Sequence, residues 1–548
     1  MRLKYFFILL IVAFFLTSDL LINRGRPTTF DGHVHITTMA QYFLALKDGE
    51  FPVQWANGFA NYGYPLAIVA HQVPAYAGAV VNFFTNNIVL SFKIVFFIAI
   101  ILSTTALYIF LKEYADKRYA LIAAIFFNFA PYRIINIYIR GALPEVVASI
   151  FLPVALLGLH RLFVKKKFSG LVIFIVGLAL LAYSHPMMLF IHGLLIFAYA
   201  IFLIFQYPAK LRLNKIFIFL AACFISGLLA ASYLLPLKME SKYFIAGSEN
   251  HEITEAHYFK MQNFFSPNWY YFKGHPGPRG NLLKVGLPEI SLFIFIVIYT
   301  LLNWKKSSKT FKFWVGAGVV SLVLTTAVGR VLYDNSYLFS NIQYPWRFLA
   351  NFIFILPICL STFLQKKKIN AHILAALLII FLLLRLPQIY GKNYVVYDQS
   401  HYFFTRVNLH SQNLNTVWMG NSLDYPVKEI QTKIIEGNGQ LSNLEVKNSR
   451  RTMKIEANEE VRVADYSFYF PGWKVLIDGQ KTEVQYQDPN HRGYLTFLVP
   501  PGEHNVIVKY SWSPVRLLSV LLSGFGLCLF LGMIVFRKKM CSSFQISL

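Results

Sequence analysis

The sequence predicts a polytopic α-helical membrane protein of about twelve transmembrane helices, with a small extracytoplasmic β-sandwich-like domain before the last helix. Three observations predict it. Of 548 residues, 56% are hydrophobic and only 14% charged, whereas soluble domains carry about 25% charged residues. Apolar stretches recur that approach the roughly 20 residues a helix needs to cross about 30 Å of hydrocarbon. The basic residues fall in short clusters between those stretches, as they do in cytoplasmic loops. The formal net charge of +25 is thereby assigned to membrane loops. No basic, aromatic-interleaved soluble segment is present, which excludes nucleic acid as a partner.

In chain order, the first expected span is 5–22, followed by a polar and aromatic stretch, 23–87. Within that stretch, 64–84 is apolar but interrupted by His71, Gln72 and Pro74, and reads as a helix lying in the interface. Further spans are expected at 88–111, 119–139, 146–162, 170–183, 187–205 and 216–235. A long loop, 237–288, precedes spans at 290–302, 313–328, 348–364 and 371–386, and the last span is 517–536. With a cytoplasmic N-terminus, every basic cluster falls inside and every long loop outside. Counting 64–84 as a span would invert all the later clusters. Both termini are therefore expected in the cytoplasm. The domain division is 1–387 (membrane domain with outer loops 23–87 and 237–288), 388–513 (β-rich domain) and 514–548 (last span and basic tail).

The 388–513 segment alternates apolar and polar residues in RTMKIEA, VRVADYSFYF, WKVLID and HNVIVKY. Asp478-Gly479 between two such runs signals a hairpin, since both central residues of that turn need positive φ. PPGEH at 500–504 reads as a second turn. Cys223, Cys359 and Cys528 lie in apolar runs and Cys541 in the tail, so no disulfide framework supports the outer loops. The N-terminal run lacks a small-residue cleavage site before Asp19 and reads as a retained signal anchor.

The informative polar residues sit at the outer ends of spans. In FDGHVHI, Asp31 is a candidate general base; the alternative is an N-cap for a following interfacial helix. His33 and His35 invite a metal reading, with Asp31 and His35 as ligands, but two residues apart they share a face only on a strand. Arg140 and Glu145 close a helix hairpin, either as a substrate-binding pair or as a salt bridge stapling the loop. His185, Glu240 and Arg347 reach the same level, with Tyr344 and Trp346 read as interfacial anchors. Six such groups on one side suit a phosphate-bearing lipid headgroup. There is no Walker lysine loop, dinucleotide fingerprint or HExxH helix. An energy source acting outside must then arrive with the substrate, as a sugar on a lipid phosphate does.

DGHVHITTMAQYFLALKDGEFPVQW, NYGYP, YIRGALPE, SHPMM and QYPWRF, in that order, resemble the bacterial 6-pyruvoyl-tetrahydropterin synthase-related membrane proteins. YFPGWKVLIDGQ and VPPGEHNV resemble the YfhO family. Both families look like members of the GT-C class of membrane glycosyltransferases. The pterin activity itself belongs to a soluble zinc enzyme with three histidine ligands and is not implied. The resemblance implies a polyprenyl-phosphate-linked sugar donor and a cell-envelope glycan or lipid acceptor, both outside the cytoplasm. It matches Asp31 to the acidic residue of the first outer loop, used as base or metal ligand, and His35 to the histidine after it. Arg140 and Glu145 match the second outer loop. His33 stands where a second acid would follow Asp31, which leaves a divalent metal open and makes no cofactor certain. The absence of a WWDxG motif counts against asparagine glycosylation.

The function expected from the sequence is sugar transfer from that donor at the outer face of the bilayer. Asp31 and Glu145 are its catalytic candidates; His33, His35, Arg140, His185, Glu240 and Arg347 are candidate substrate-binding residues. The rivals are a flippase or transporter of a lipid-linked saccharide and a non-catalytic envelope-assembly protein. The former predicts flipping without transfer, the latter tolerance of substitution at Asp31, Arg140 and Arg347.

Overall fold

The computed structural model describes residues 3–245, 257–265, 283–336, 339, 342, 344–391, 393–404, 415–419 and 423–538. Much of the expected 237–288 loop, and the basic tail beyond 538 with Cys541, lie outside the described residues. Among the described residues, seven helices are each long and apolar enough to cross a membrane. They are Leu3–Ile22, Ile88–Leu111, Leu143–Phe163, Pro186–Ile204, Ala209–Leu229, Pro345–Lys367 and Pro514–Val535. Lys117–Asn128 and Pro131–Arg140 form an eighth span if taken together, bent by 46°. Pro131 accounts for the bend, because proline donates no N–H and starts a helix readily. Shorter apolar helices occupy Phe168–Ser184, Leu287–Leu302 and His372–Gln388. The interrupted stretch after residue 64 forms one helical turn at Leu66–Val69 and, after a break, a helix over Gln72–Thr85. At 1.5 Å per residue that is about 21 Å, short of a crossing.

The bundle is built on Leu143–Phe163, which packs against Ile88–Leu111 on one side and Phe168–Ser184 on another. The Pro514–Val535 helix lies at the edge of the bundle, against Ala209–Leu229 and Ala231–Glu240. Strand β1 (Arg26–Pro27) pairs with β2 (Tyr394–Val395), tying the chain after the His372–Gln388 helix to the start of the first long loop.

Among the described residues, eight further strands lie between β2 and the last helix: β3 (Thr432–Glu436), β4 (Gly439–Lys447), β5 (Arg450–Ala457), β6 (Val461–Phe468), β7 (Trp473–Ile477), β8 (Gln480–Thr482), β9 (Tyr494–Val499) and β10 (Gly502–Tyr510). They form two antiparallel sheets, ordered β4-β5-β10-β7-β8 and β3-β6-β9. The β7–β8 hairpin turns at Asp478 and Gly479, with φ of +50° and +84°. At Pro500-Pro501 the chain leaves one sheet for the other. Alternate residues such as Val463, Val475, Phe497 and Val508 are fully buried, the period of two that a one-sided sheet requires.

This core is not confined to the strands. Trp55, Tyr62 and Tyr64 of the first long loop belong to the same buried cluster. The Trp55 ring lies 5.0 Å from Trp473 and 4.9 Å from Tyr510. Polar contacts reinforce the junction. The buried Asn448 side chain donates to Glu50 Oε2 (2.8 Å) and to the Trp55 carbonyl (2.7 Å), and accepts from the Asn57 N–H (3.1 Å). Arg451, fully buried, donates to Asn57 and Ser467 and pairs with Asp465 at 3.4 Å. Lys428 donates to Asn57 and Gln431, and burial, with Arg451 beside it, pushes its ammonium down to about 7.

Candidate functional site

Below this junction, at the β-bearing end of the bundle, ionisable side chains converge from five segments. The Pro131–Ile135 helix continues through Asn136–Arg140 as a π-helical turn, and Leu143–Phe163 starts three residues later. The wide turn and the hairpin together bring Tyr132, Asn136, Arg140 and Glu145 to one point. Arg140 grips Glu145 bidentately, Nη1 to Oε2 and Nη2 to Oε1, both 2.8 Å. Tyr132 and Asn136 also donate to Oε2, at 2.7 and 3.2 Å, and Asn136 accepts from Arg140 at 2.7 Å. Glu145 is 5% exposed and sits in the first turn of its helix, where the dipole favours a carboxylate. Its oxygens are fully engaged, so the stapling salt bridge forms.

Arg347, in the 3₁₀ turn Pro345–Phe348, brings a second guanidinium to the same carboxylate, Nε to Oε1 at 3.6 Å. That is an ion-pair distance, too long for a hydrogen bond. Arg347 is 7% exposed, and its guanidinium, the buried Nε included, makes no hydrogen bond among the described residues. Trp346 is fully buried, with the Arg140 guanidinium 4.8 Å above its ring. It is the floor of the cluster, and not the interfacial anchor its sequence position suggested.

Asp31 enters from the opposite side. Its backbone N–H donates to the Arg140 carbonyl at 2.8 Å. The approach depends on Gly141, at φ +65°: a Cβ there would fall 2.5 Å from Thr29 Oγ1 and 2.9 Å from the Gly32 nitrogen. Asp31 occupies the N-cap position of the Gly32–Lys47 helix, yet its side chain makes no capping hydrogen bond. The carboxylate acts electrostatically on Arg140 and His71.

Three imidazoles complete the cluster. His71 stacks on His185 with ring centroids 4.3 Å apart, and His35 lies 6.3 Å from His71. Burial, with Arg140 nearby, pushes His35 down to about 4. Burial, then His35 and Arg347, push His71 down to about 3. Both rings are neutral at neutral pH. A cavity of about 190 Å³ adjoins them, lined by His35, His71, Tyr64, Phe59 and Pro144.

The structure thus brings together Asp31, His35, Arg140, Glu145, His185 and Arg347. Two candidates stand apart. His33 is on the same helix as His35 and points elsewhere, its ring 5.1 Å from His401 and 5.5 Å from Tyr402. Residues two apart on a helix are about 200° apart around its axis, so this pair cannot chelate. Among the described residues no group of three His, Cys, Asp or Glu side chains is arranged to hold a metal ion. Glu240 pairs instead with Arg516 of the last helix, at 3.1 Å, and accepts from Ser513. His71, Tyr132 and Asn136 were not singled out by sequence. His71 had a signal, being one of three residues that break an otherwise apolar stretch.

Comparison with known proteins adds the following. The model of the 6-pyruvoyl-tetrahydropterin synthase related domain, a membrane protein family, matches residues 72–390. An uncharacterized protein of Lactococcus lactis subsp. cremoris is 25% identical over 293 residues, covering 51% of this chain and 46% of the relative. The match thus spans about half the length of that curated relative. Among solved structures, the apo form of the Archaeoglobus fulgidus oligosaccharyltransferase aligns with a TM-score of 0.40 at 12% identity, over 74% of this chain and 60% of the other. The same protein with zinc and sulfate aligns at 0.37 and 11%, over 75% and 58%.

Proposed function

The chain belongs to the family of 6-pyruvoyl-tetrahydropterin synthase related membrane proteins, and from that premise we propose that it is a multi-pass membrane glycosyltransferase of GT-C type. It takes a sugar from a polyprenyl-phosphate donor and passes it to a cell-envelope glycan or lipid acceptor on the extracytoplasmic face. One observation carries the reading: a buried guanidinium, Arg347, that makes no hydrogen bond among the described residues shares a cluster with a carboxylate, Asp31, that no capping bond engages. An arginine with free donors is matched by phosphate oxygens. A carboxylate free of capping is available to accept a proton.

In the proposed reaction the Asp31 carboxylate takes the proton of an acceptor hydroxyl. The hydroxyl oxygen forms a bond to the anomeric carbon as that carbon's bond to the phosphate oxygen breaks, and the lipid phosphate leaves with the electron pair. Arg347 stabilises the charge developing on the phosphate. Glu145 is a positioning residue, because its oxygens are occupied by Arg140, Tyr132 and Asn136. The neutral imidazoles of His35 and His71 offer hydrogen bonds to sugar hydroxyls beside the cavity. Among the described residues no three His, Cys, Asp or Glu side chains form a metal-ligand set, and the proposed steps use no metal.

The test is sugar transfer by purified protein supplied with polyprenyl-phosphate sugar and an envelope acceptor. Asp31→Asn is expected to lower kcat at least 100-fold, the scale of general-base catalysis, while leaving thermal unfolding unchanged. Full transfer by Asp31→Asn and Asp31→Ala would remove Asp31 from the mechanism.

A further inference from the structure

A groove of about 760 Å³ opens between the Phe168–Ser184 helix and the Pro514–Val535 helix. Its walls are apolar: Leu180, Leu229, Val520 and Leu527 line it, beneath the chain segment Phe51–Gln54. The Pro514–Val535 wall belongs to the least buried of the candidate spans, so that helix faces hydrocarbon. Polar side chains line it too, among them Gln72, Ser232, Arg516, Ser519 and Ser523, each hydrogen-bonded within the protein. Tyr233, 3% exposed, stacks on Tyr183 at 5.9 Å and lines the groove, and its hydroxyl has no hydrogen-bond partner among the described residues.

Two chain segments pass directly from this groove to the charged cluster. Gln72 lines the groove, and the residue before it is His71, stacked on His185. Tyr183 lines the groove, and two residues on is His185 itself. The partition between the groove and a site rich in cations is therefore one or two residues thick along both segments, which meet at the stacked His71–His185 pair.

We infer that this groove holds the hydrocarbon tail of the lipid-phosphate donor, leaving its phosphate at the Arg347 end. The inference rests on the transfer reading above and adds where the donor's lipid lies and how it enters, laterally from the bilayer between these two helices. Tail and phosphate would then be read separately, the tail by Leu180, Val520 and Leu527, the phosphate by the cluster.

Gly524 provides the test. It lines the groove, and a Cβ added there meets no atom within 4 Å. A leucine at this position is expected to occupy part of the groove. Gly193, equally open but outside the groove, is the control. Protein in nanodiscs is exposed to a polyprenyl phosphate with a photoreactive diazirine on its tail, and labelled peptides are located by mass spectrometry. Labelling is expected on 171–183 and 517–531, to fall at least fivefold in Gly524→Leu, and to stay unchanged in Gly193→Leu. Equal labelling of all lipid-facing helices, an unaltered yield in Gly524→Leu, or full displacement by equimolar phosphatidylglycerol would overturn the assignment. Because the readout is binding, it separates from the transfer reading. Groove labelling without sugar transfer sinks transfer alone; transfer undiminished in a Gly524→Leu protein that labels normally sinks the groove alone.

Discussion

Among single residues, Glu145 is the carboxylate on which two buried guanidiniums depend. Two guanidiniums, 8% and 7% exposed, share its carboxylate. Removing one partner of a buried ion pair costs about 3–5 kcal/mol, because the surviving charge keeps its desolvation penalty without compensation. Glu145→Gln preserves shape and is expected to destabilise the protein by about that amount, read as a large drop in the thermal-unfolding midpoint in detergent. An unchanged midpoint would mean that water or lipid already compensates the two arginines. Asp31→Asn makes the opposite prediction, lost turnover with stability kept, so the two carboxylates are separable by experiment.

At the scale of elements, the junction between the first long loop and the strands depends on Asn448, whose side chain makes three hydrogen bonds into residues 50–57. Asn448→Ala leaves the Trp55 carbonyl and the Asn57 N–H without partners and is expected to cost roughly 2–3 kcal/mol. Limited proteolysis would show faster cleavage near residues 48–57; an unchanged digestion pattern would argue against the junction. Such long-range contacts mark where sequence reading runs out. Arg140, Glu145, His185 and Arg347 were legible because a charge at the end of an apolar stretch is costly and conspicuous. The hairpin at Asp478-Gly479 was legible because its turn chemistry is local. Glu240 was misleading, since its partner Arg516 lies 276 residues away. The separation of His33 from His35 depended on their being helical, and a helix was only one of two conformations that FDGHVHI allowed. Likewise the extent of the sheet core could not be read from the strands, because Trp55 and Tyr64 complete it from the other end of the chain.

For the molecule as a whole, the cluster couples stability to acidity. His35 and His71 titrate in the fold near 4 and 3, below the ordinary 6.5. As pH falls below about 6.5 the unfolded chain takes up these protons first, so their stabilising contribution is full above 6.5 and declines as pH falls through 4 toward 3. Between pH 6.5 and 5, where most carboxylates stay ionised, the unfolding midpoint is expected to fall, and His71→Gln to flatten that slope. A wild-type midpoint constant over the interval would contradict the burial of these rings.

The shared core of the strands and the first loop has a consequence for biogenesis. Asp48 bonds to the backbone of Asn448, 400 residues later in synthesis. At about 5–20 residues per second, the early loop waits roughly 20–80 s for its partner to be made. During that interval Trp55, Tyr62 and Tyr64 have no strands to cover them, and a chain truncated before residue 432 never supplies any. The nascent protein therefore carries a built-in signal of incompleteness, an aromatic surface open to chaperones and proteases until the strands arrive.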